Sequence, residues 1–268
     1  MTRKANVLAI MSPKGGVGKT VTAVNLAVAL SEKLGKKILL IDTNVSTASL
    51  GMHLNIIYPK TTINDIIEKK ISKSNMLHHY SENLDVIPAA IKIKKRTRNP
   101  QLMFKEIYKI VQEYDSLLNK FQKDYDLIIL DCAPGFDIES IATMQIAGGI
   151  IVVANPEYPS IVSAARCIEY AKHLRMPVGG MVLTKVRNKS HELKKDEIEK
   201  ALKIKIIQEI PYDKKISESI NRRVPLILLK PFSRASRAYK KLASSLVESN
   251  KKENFFSKIK RKIIEIKW

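Results

Sequence analysis

Cysteine is nearly absent: Cys132 and Cys167 are the only two in 268 residues. No Cys-x-x-Cys pair exists, so neither a disulfide framework nor a thiolate-held metal or iron–sulfur centre is expected. Long apolar runs are missing too, and none reaches the roughly 18 residues that a membrane span needs. Met1-Thr2-Arg3-Lys4 leads straight into an apolar segment, so no signal peptide is expected and the implied compartment is the reducing cytoplasm. His78-His79 lacks companion ligands and reads as a loop pair, not a metal site. Acidic residues are few: 26 against 47 basic, a net charge of +21. Such an excess attracts anionic surfaces, either phospholipid or nucleic acid. A solvated basic face is the plainer reading of the same charge.

What is present is enough for one large domain. Hydrophobic residues make up 45% of the chain. Short β-type runs alternate with amphipathic stretches, the pattern of a parallel sheet wrapped by helices. Strands are expected at 7–11, 37–41, 84–88, 127–130, 149–154, 180–183 and 204–208. Helices are expected at 20–34, 63–69, 102–121, 160–174, 195–202, 214–221 and 233–248. Gly35 reads as a left-handed C-cap after the first helix. Asp137 and Glu139 read as helix N-terminal residues. A polar segment at 249–253 reads as a linker.

The most specific signal is Ser12-Pro13-Lys14-Gly15-Gly16-Val17-Gly18-Lys19-Thr20, between the first strand and the first helix. Glycines let successive backbone N–H groups converge on one phosphate, and the helix N-terminus adds its positive end. Lys19 is placed to reach the β- and γ-phosphates, and the Thr20 hydroxyl to ligate Mg²⁺. Asp131 ends the apolar strand Leu127–Leu130, where a carboxylate can hold a metal-bound water. An ATP site with Mg²⁺ is the reading of this constellation.

The extra Lys14 at the start of the loop resembles the deviant Walker A motif, Lys-Gly-Gly-x-Gly-Lys-Thr, of the MinD/ParA family. Thr22, Asn25, Leu26 and Ala27 fit the family's first helix. Asp42, Leu127 to Asp131, Ala133-Pro134-Gly135, Ile151 to Glu157 and Ile210-Pro211-Tyr212-Asp213 extend the likeness over about residues 5–248. The resemblance implies an α/β, doubly wound, mostly parallel sheet with helices on both faces. It implies that Lys14 crosses to a partner's nucleotide in an ATP-dependent homodimer. Nucleotide contacts are implied for Lys14 through Val21 (Gly15, Gly16, Val17, Gly18, Lys19 and Thr20 between them), and adenine contacts for Lys185, Pro211 and Asp213. Catalytic roles are implied for Lys14, Lys19, Asp42 and position 44, with Asp42 holding the metal through water. Here the chain departs from the family: Asn44 stands where a second Asp is usual. Asparagine orients water through its side-chain oxygen but carries no charge, so slow hydrolysis is expected.

The tail, residues 254–268, places Phe255, Phe256, Ile259, Ile263 and Ile266 on one helical face and Lys258, Arg261 and Lys262 opposite, with Trp268 at its end. That is the pattern of a helix lying in a headgroup layer, and it resembles the C-terminal membrane-targeting helix of MinD. The function expected is a MinD-like switch, peripheral on the inner face of the membrane, positioning partner proteins. The alternative is a ParA-like partitioning ATPase that binds DNA through basic patches such as 91–98, Arg222-Arg223 and Arg234/Arg237.

Overall fold

A computed structural model describes residues 6–45, 47–68, 73–90 and 100–252. The tail at 254–268 and the basic cluster at 91–98 lie outside the described residues. Among the described residues eight strands form one sheet: β1 (Val7–Met11), β2 (Ile38–Asp42), β3 (His78–Ser81), β4 (Leu84–Ile87), β5 (Leu127–Asp131), β6 (Gly149–Ala154), β7 (Val178–Val186) and β8 (Ile206–Pro211). Their spatial order is β3-β4-β2-β5-β1-β6-β7-β8. Every pairing is parallel except β3 with β4, which is antiparallel at the edge.

The period of two along each strand builds two cores. Val7, Ala9 and Met11 enter one layer, Leu8 and Ile10 the other. The first layer is covered by α4 (Pro100–Phe121), α5 (Ile138–Ile146), α6 (Tyr158–His173) and α7 (Lys195–Leu202). The second is covered by α1 (Lys19–Leu34), the short α2 (Leu50–His53) and α9 (Leu226–Leu229), and α10 (Arg234–Lys252). The remaining helices are α3 (Ile63–Glu68) and α8 (Lys214–Arg222). Gly35 ends α1 in the left-handed region (φ 60°), donating to the Leu30 and Ser31 carbonyls. Asp137 caps α5, accepting from the Ser140 N–H at 3.0 Å.

Three expectations need correction. His78-His79 lies in strand β3, not in a loop; the His78 ring contacts the Thr61 carbonyl and the His79 ring contacts Asp85. β8 begins two residues later than its apolar pattern suggests and runs on to Pro211, because pairing with the long β7 carries it forward. α10 continues to Lys252, into the segment read as a linker.

Buried polar side chains join α1 to the helices behind it. The Asn25 carboxamide donates to the Val21 carbonyl at 2.8 Å and accepts from the Ile227 N–H at 3.1 Å. The Thr22 and Tyr239 hydroxyls meet at 3.5 Å, and burial raises the Tyr239 phenol to about 12. Replacing Asn25 by Leu strands the Ile227 N–H in a dry core. A loss of about 1–3 kcal/mol is expected, read as a drop in the denaturation midpoint in urea with an unchanged slope.

Candidate functional site

The strands' C-terminal ends bring the sequence-identified residues to one edge of the sheet. β1 lies between β5 and β6, where the strand order reverses, the position at which doubly wound sheets bind ligands. The loop from β1 to α1 turns on two left-handed glycines, Gly16 (φ 73°) and Gly18 (φ 98°), which any side chain would strain. Gly18 is the N-cap of α1 and gives no side-chain cap, and the first turn of α1 carries no acidic residue. The helix therefore presents an uncompensated positive end. Lys19 is buried, and burial lowers its pKa, although Asp131 draws it back up. Val17 is fully buried beneath the loop, and Val21 is half-buried against the α1 side of the core.

The loop is braced from β6 and β7. Thr184 Oγ1 donates within a cluster that contains the Val17 carbonyl at 2.5 Å, Asn155 Oδ1 at 2.8 Å and the Ala154 carbonyl at 3.3 Å. Lys185, itself left-handed at φ 57°, sends its ammonium to the Gly16 carbonyl at 2.8 Å. Lys185 was expected at the base; its side chain is engaged on the phosphate loop. The sequence does not announce that Thr184 and Asn155 brace the phosphate loop. Their contact joins residues 29 apart in the chain, and only the β6–β7 pairing reveals it.

Lys14 lies at the rim. Its Nζ is 3.4 Å from Glu157 Oε2, with both side chains substantially exposed (37% and 57%). Pro211 ends β8 opposite Val186. Asp213 caps α8, accepting from the Lys215 N–H at 3.0 Å, and its second oxygen is 3.5 Å from the Ala235 N–H. Between these strand ends Arg187 lies 3.9 Å above the Tyr212 ring.

The acidic side of the site is buried. Asp42 and Asp131 are paired residues of the neighbouring strands β2 and β5, and neither is exposed to solvent. Asp42 accepts from the Asn44 N–H (2.9 Å) and the Leu50 N–H (3.2 Å). Burial, and then the charge of Asp131, push its carboxyl well above the usual range. Neither oxygen of Asp131 has a hydrogen-bond partner among the described residues. Burial raises Asp131 to about 6, against the pull of the adjacent Thr20 hydroxyl and Lys19 ammonium. Thr20 Oγ1 is 3.4 Å from Ser49 Oγ. An orphaned buried carboxylate, a second one beside it and a hydroxyl are hard oxygen donors of the kind Mg²⁺ takes, with phosphate oxygens and water completing its shell. These residues fit that ion.

Asn44 is buried and closes a local turn. Its Oδ1 accepts from the Thr47 N–H at 3.3 Å, and its Nδ2 donates to Thr47 Oγ1 at 2.6 Å. The oxygen expected to orient water is therefore engaged by the chain itself.

The Asp131 shift has a thermodynamic consequence. An unfolded aspartate titrates near about 3.9, so between about pH 4 and 6 the folded chain keeps a proton the unfolded chain has lost. A raised carboxyl stabilises at low pH, and that stability disappears as pH rises through the folded value. Asp131→Asn removes this loss. Its melting temperature is expected to gain on wild type as pH rises from 4 to 6.5. A constant difference across that window would show that Asp131 is not held protonated.

A family profile described as an AAA domain matches residues 5–178. An uncharacterized ATP-binding protein of Methanocaldococcus jannaschii is 31% identical over 265 residues, covering 95% of this chain and 97% of its own. The septum site-determining protein MinD of Thermotoga maritima is 29% identical over 273 residues, covering 97% of this chain and 95% of its own. Among solved structures, the cell division ATPase MinD of Pyrococcus furiosus has a similar fold, with a TM-score of 0.79 at 23% identity over 93% of this chain and 100% of that one. In the MinC:MinD cell division complex of Aquifex aeolicus the TM-score is 0.76 at 28% identity, over 91% of this chain and 96% of that one. With the braced glycine loop, its two lysines and the paired strand-end carboxylates, these matches place the chain in the MinD/ParA family of deviant Walker A P-loop ATPases.

Proposed function

We propose that this chain is an ATP-driven switch. It binds ATP with Mg²⁺, dimerises face to face around the nucleotide, attaches peripherally to the inner face of the membrane and positions a partner protein. The observation that carries the nucleotide half of this reading is the orphaned, buried Asp131 carboxylate beside the uncapped N-terminus of α1. The Aquifex relative, solved as a complex with MinC, supports a protein partner as the output. The membrane half rests on the amphipathic pattern of residues 254–268. No helix among the described residues is long and apolar enough to cross a membrane, so attachment is read as peripheral.

In this reading the loop amides and Lys19 hold the β- and γ-phosphates. Thr20, Asp131 and Asp42 would hold Mg²⁺, which would supply charge neutralisation on the phosphates. Lys14 leaves Glu157 to reach the partner's nucleotide. Asn44 must leave Thr47 to orient the attacking water, and it brings no charge when it does. Turnover is therefore slow and the ATP dimer long-lived. Asn44→Asp is expected to raise single-turnover hydrolysis by about 100-fold or more, the lower end of the span of a positioned acid–base group. Equal rates in the two proteins would remove Asn44 as the cause of slow turnover.

Two weak tails on one dimer bind far better than one, because the second binding event is intramolecular. Sedimentation with anionic vesicles is expected to be stronger with ATP and Mg²⁺ than with ADP, and to be greatly weakened in a chain ending at Lys252. Binding indifferent to both nucleotide and tail would overturn the switch.

A further inference from the structure

The region from α8 to α10 concentrates charge. Residues 214–241 contain nine basic residues and one acidic one, a net +8 in a chain whose total is +21. The single carboxylate is already engaged: Glu218 Oε1 lies 3.3 Å from Arg222 Nε and 3.4 Å from Lys230 Nζ, tying the end of α8 to the end of α9. Lys240, from α10, donates to the Pro231 carbonyl at 2.7 Å, and its ammonium lies 5.7 Å from the Phe232 ring centroid. These contacts run without a break from Arg222 through Lys230 and Pro231 to Lys240. Within them Phe232 is 82% exposed and Leu228 39% exposed.

We propose that this corner is a second contact with an anionic lipid surface, in which Phe232 and Leu228 enter the headgroup layer while the surrounding lysines and arginines meet lipid phosphates. It rests on the reading of the chain as membrane-bound. The cations alone would suit any polyanion. The apolar pair decides between them. A duplex offers phosphates and groove edges and gives an exposed leucine nothing to do. The interfacial layer takes both kinds of side chain at once, with lysine stems lying along apolar surface and their ammonium groups at the phosphates. This contact belongs to the folded domain, so it acts whether or not the tail is engaged. With two separate contacts the domain sits in one orientation on the bilayer.

The test places a reporter on the corner in the full chain. Trp268→Phe removes the only tryptophan, and Phe232→Trp introduces one at an exposed position where folding does not depend on it. Vesicles of mixed phosphatidylglycerol and phosphatidylcholine are expected to shift this emission to the blue, and brominated acyl chains to quench it. Pure phosphatidylcholine should do neither. Phe232→Ser in the otherwise native chain is expected to weaken vesicle affinity about tenfold. A tail variant, Ile259→Ser with Ile263→Ser, separates the two readings. If vesicles capture the chain through its tail while the reporter stays silent, the corner contact is overturned and the tail reading survives. If the reporter is quenched and the tail variant still binds, the corner contact stands and the tail reading falls. A response to duplex DNA without one to vesicles, or no vesicle binding at all, also overturns the proposal.

Discussion

The pairing of β2 with β5 sets two carboxylates side by side in the dry interior. Asp42 and Asp131 occupy matched positions at the ends of adjacent strands, so their separation is set by the sheet and not by side-chain choice. Two buried negative charges at that spacing repel, and burial disfavours each of them. Among the described residues Asp42 is relieved by backbone N–H groups, those of Asn44 and Leu50 among them, whereas neither oxygen of Asp131 has a hydrogen-bond partner. A fold optimised for stability alone would not keep such an atom. Its retention makes sense where a cation and its waters complete the site, and the buried Lys19 and the hydroxyl of Thr20 stand on the side from which the ion would be shared with phosphate. The backbone turns sharply at the same edge, through the left-handed Gly16, Gly18 and Lys185.

The phosphate loop has no regular hydrogen-bonded structure of its own, so its shape depends on neighbours. Thr184 and Lys185 supply two of them, each taking a carbonyl of the loop. Drawing the Gly16 and Val17 carbonyls toward β7 leaves the opposite faces of those peptides, the N–H groups, for an anion. Preorganisation of this kind means that little ordering remains to be done when a phosphate arrives. The same α1 that begins in the loop is bonded through Asn25 and Thr22 to α9 and α10, so the nucleotide edge and the cationic corner share a rigid element.

Much of this was legible in the sequence because its causes are local. Gly16 and Gly18 are required by backbone conformation, Asp137 by the helix it begins, and Gly35 by the helix it ends. The continuous apolar runs of β1, β2 and β5, set between amphipathic stretches, are those of a sheet wrapped by helices. What escaped notice has non-local causes. Thr184 reaches Val17 across 167 residues, and nothing near Thr184 announces it. His78 and His79 form an edge strand because β4 offers them a partner, not because their own propensity demands it. The short helices α2 and α9 are a single turn each, below the length at which periodicity has meaning. Asn44 was readable as a departure, but its closure onto Thr47 was not, since an Asx-type turn competes with any other use of the same oxygen.

The two loop lysines show how burial sorts like side chains into different roles. Lys19 is 7% exposed, and its charge is held where leaving would strand Asp131 without its nearest cation. Lys14 is paired with an exposed Glu157, and an exposed ion pair of this sort contributes about 0–1 kcal/mol. Moving Lys14 therefore costs the folded chain almost nothing, whereas moving Lys19 would dismantle the site. A lysine that must stay and a lysine free to go are what the proposed ATP-dependent dimer requires. The difference between them follows from five residues of sequence and the turn the glycines make between them.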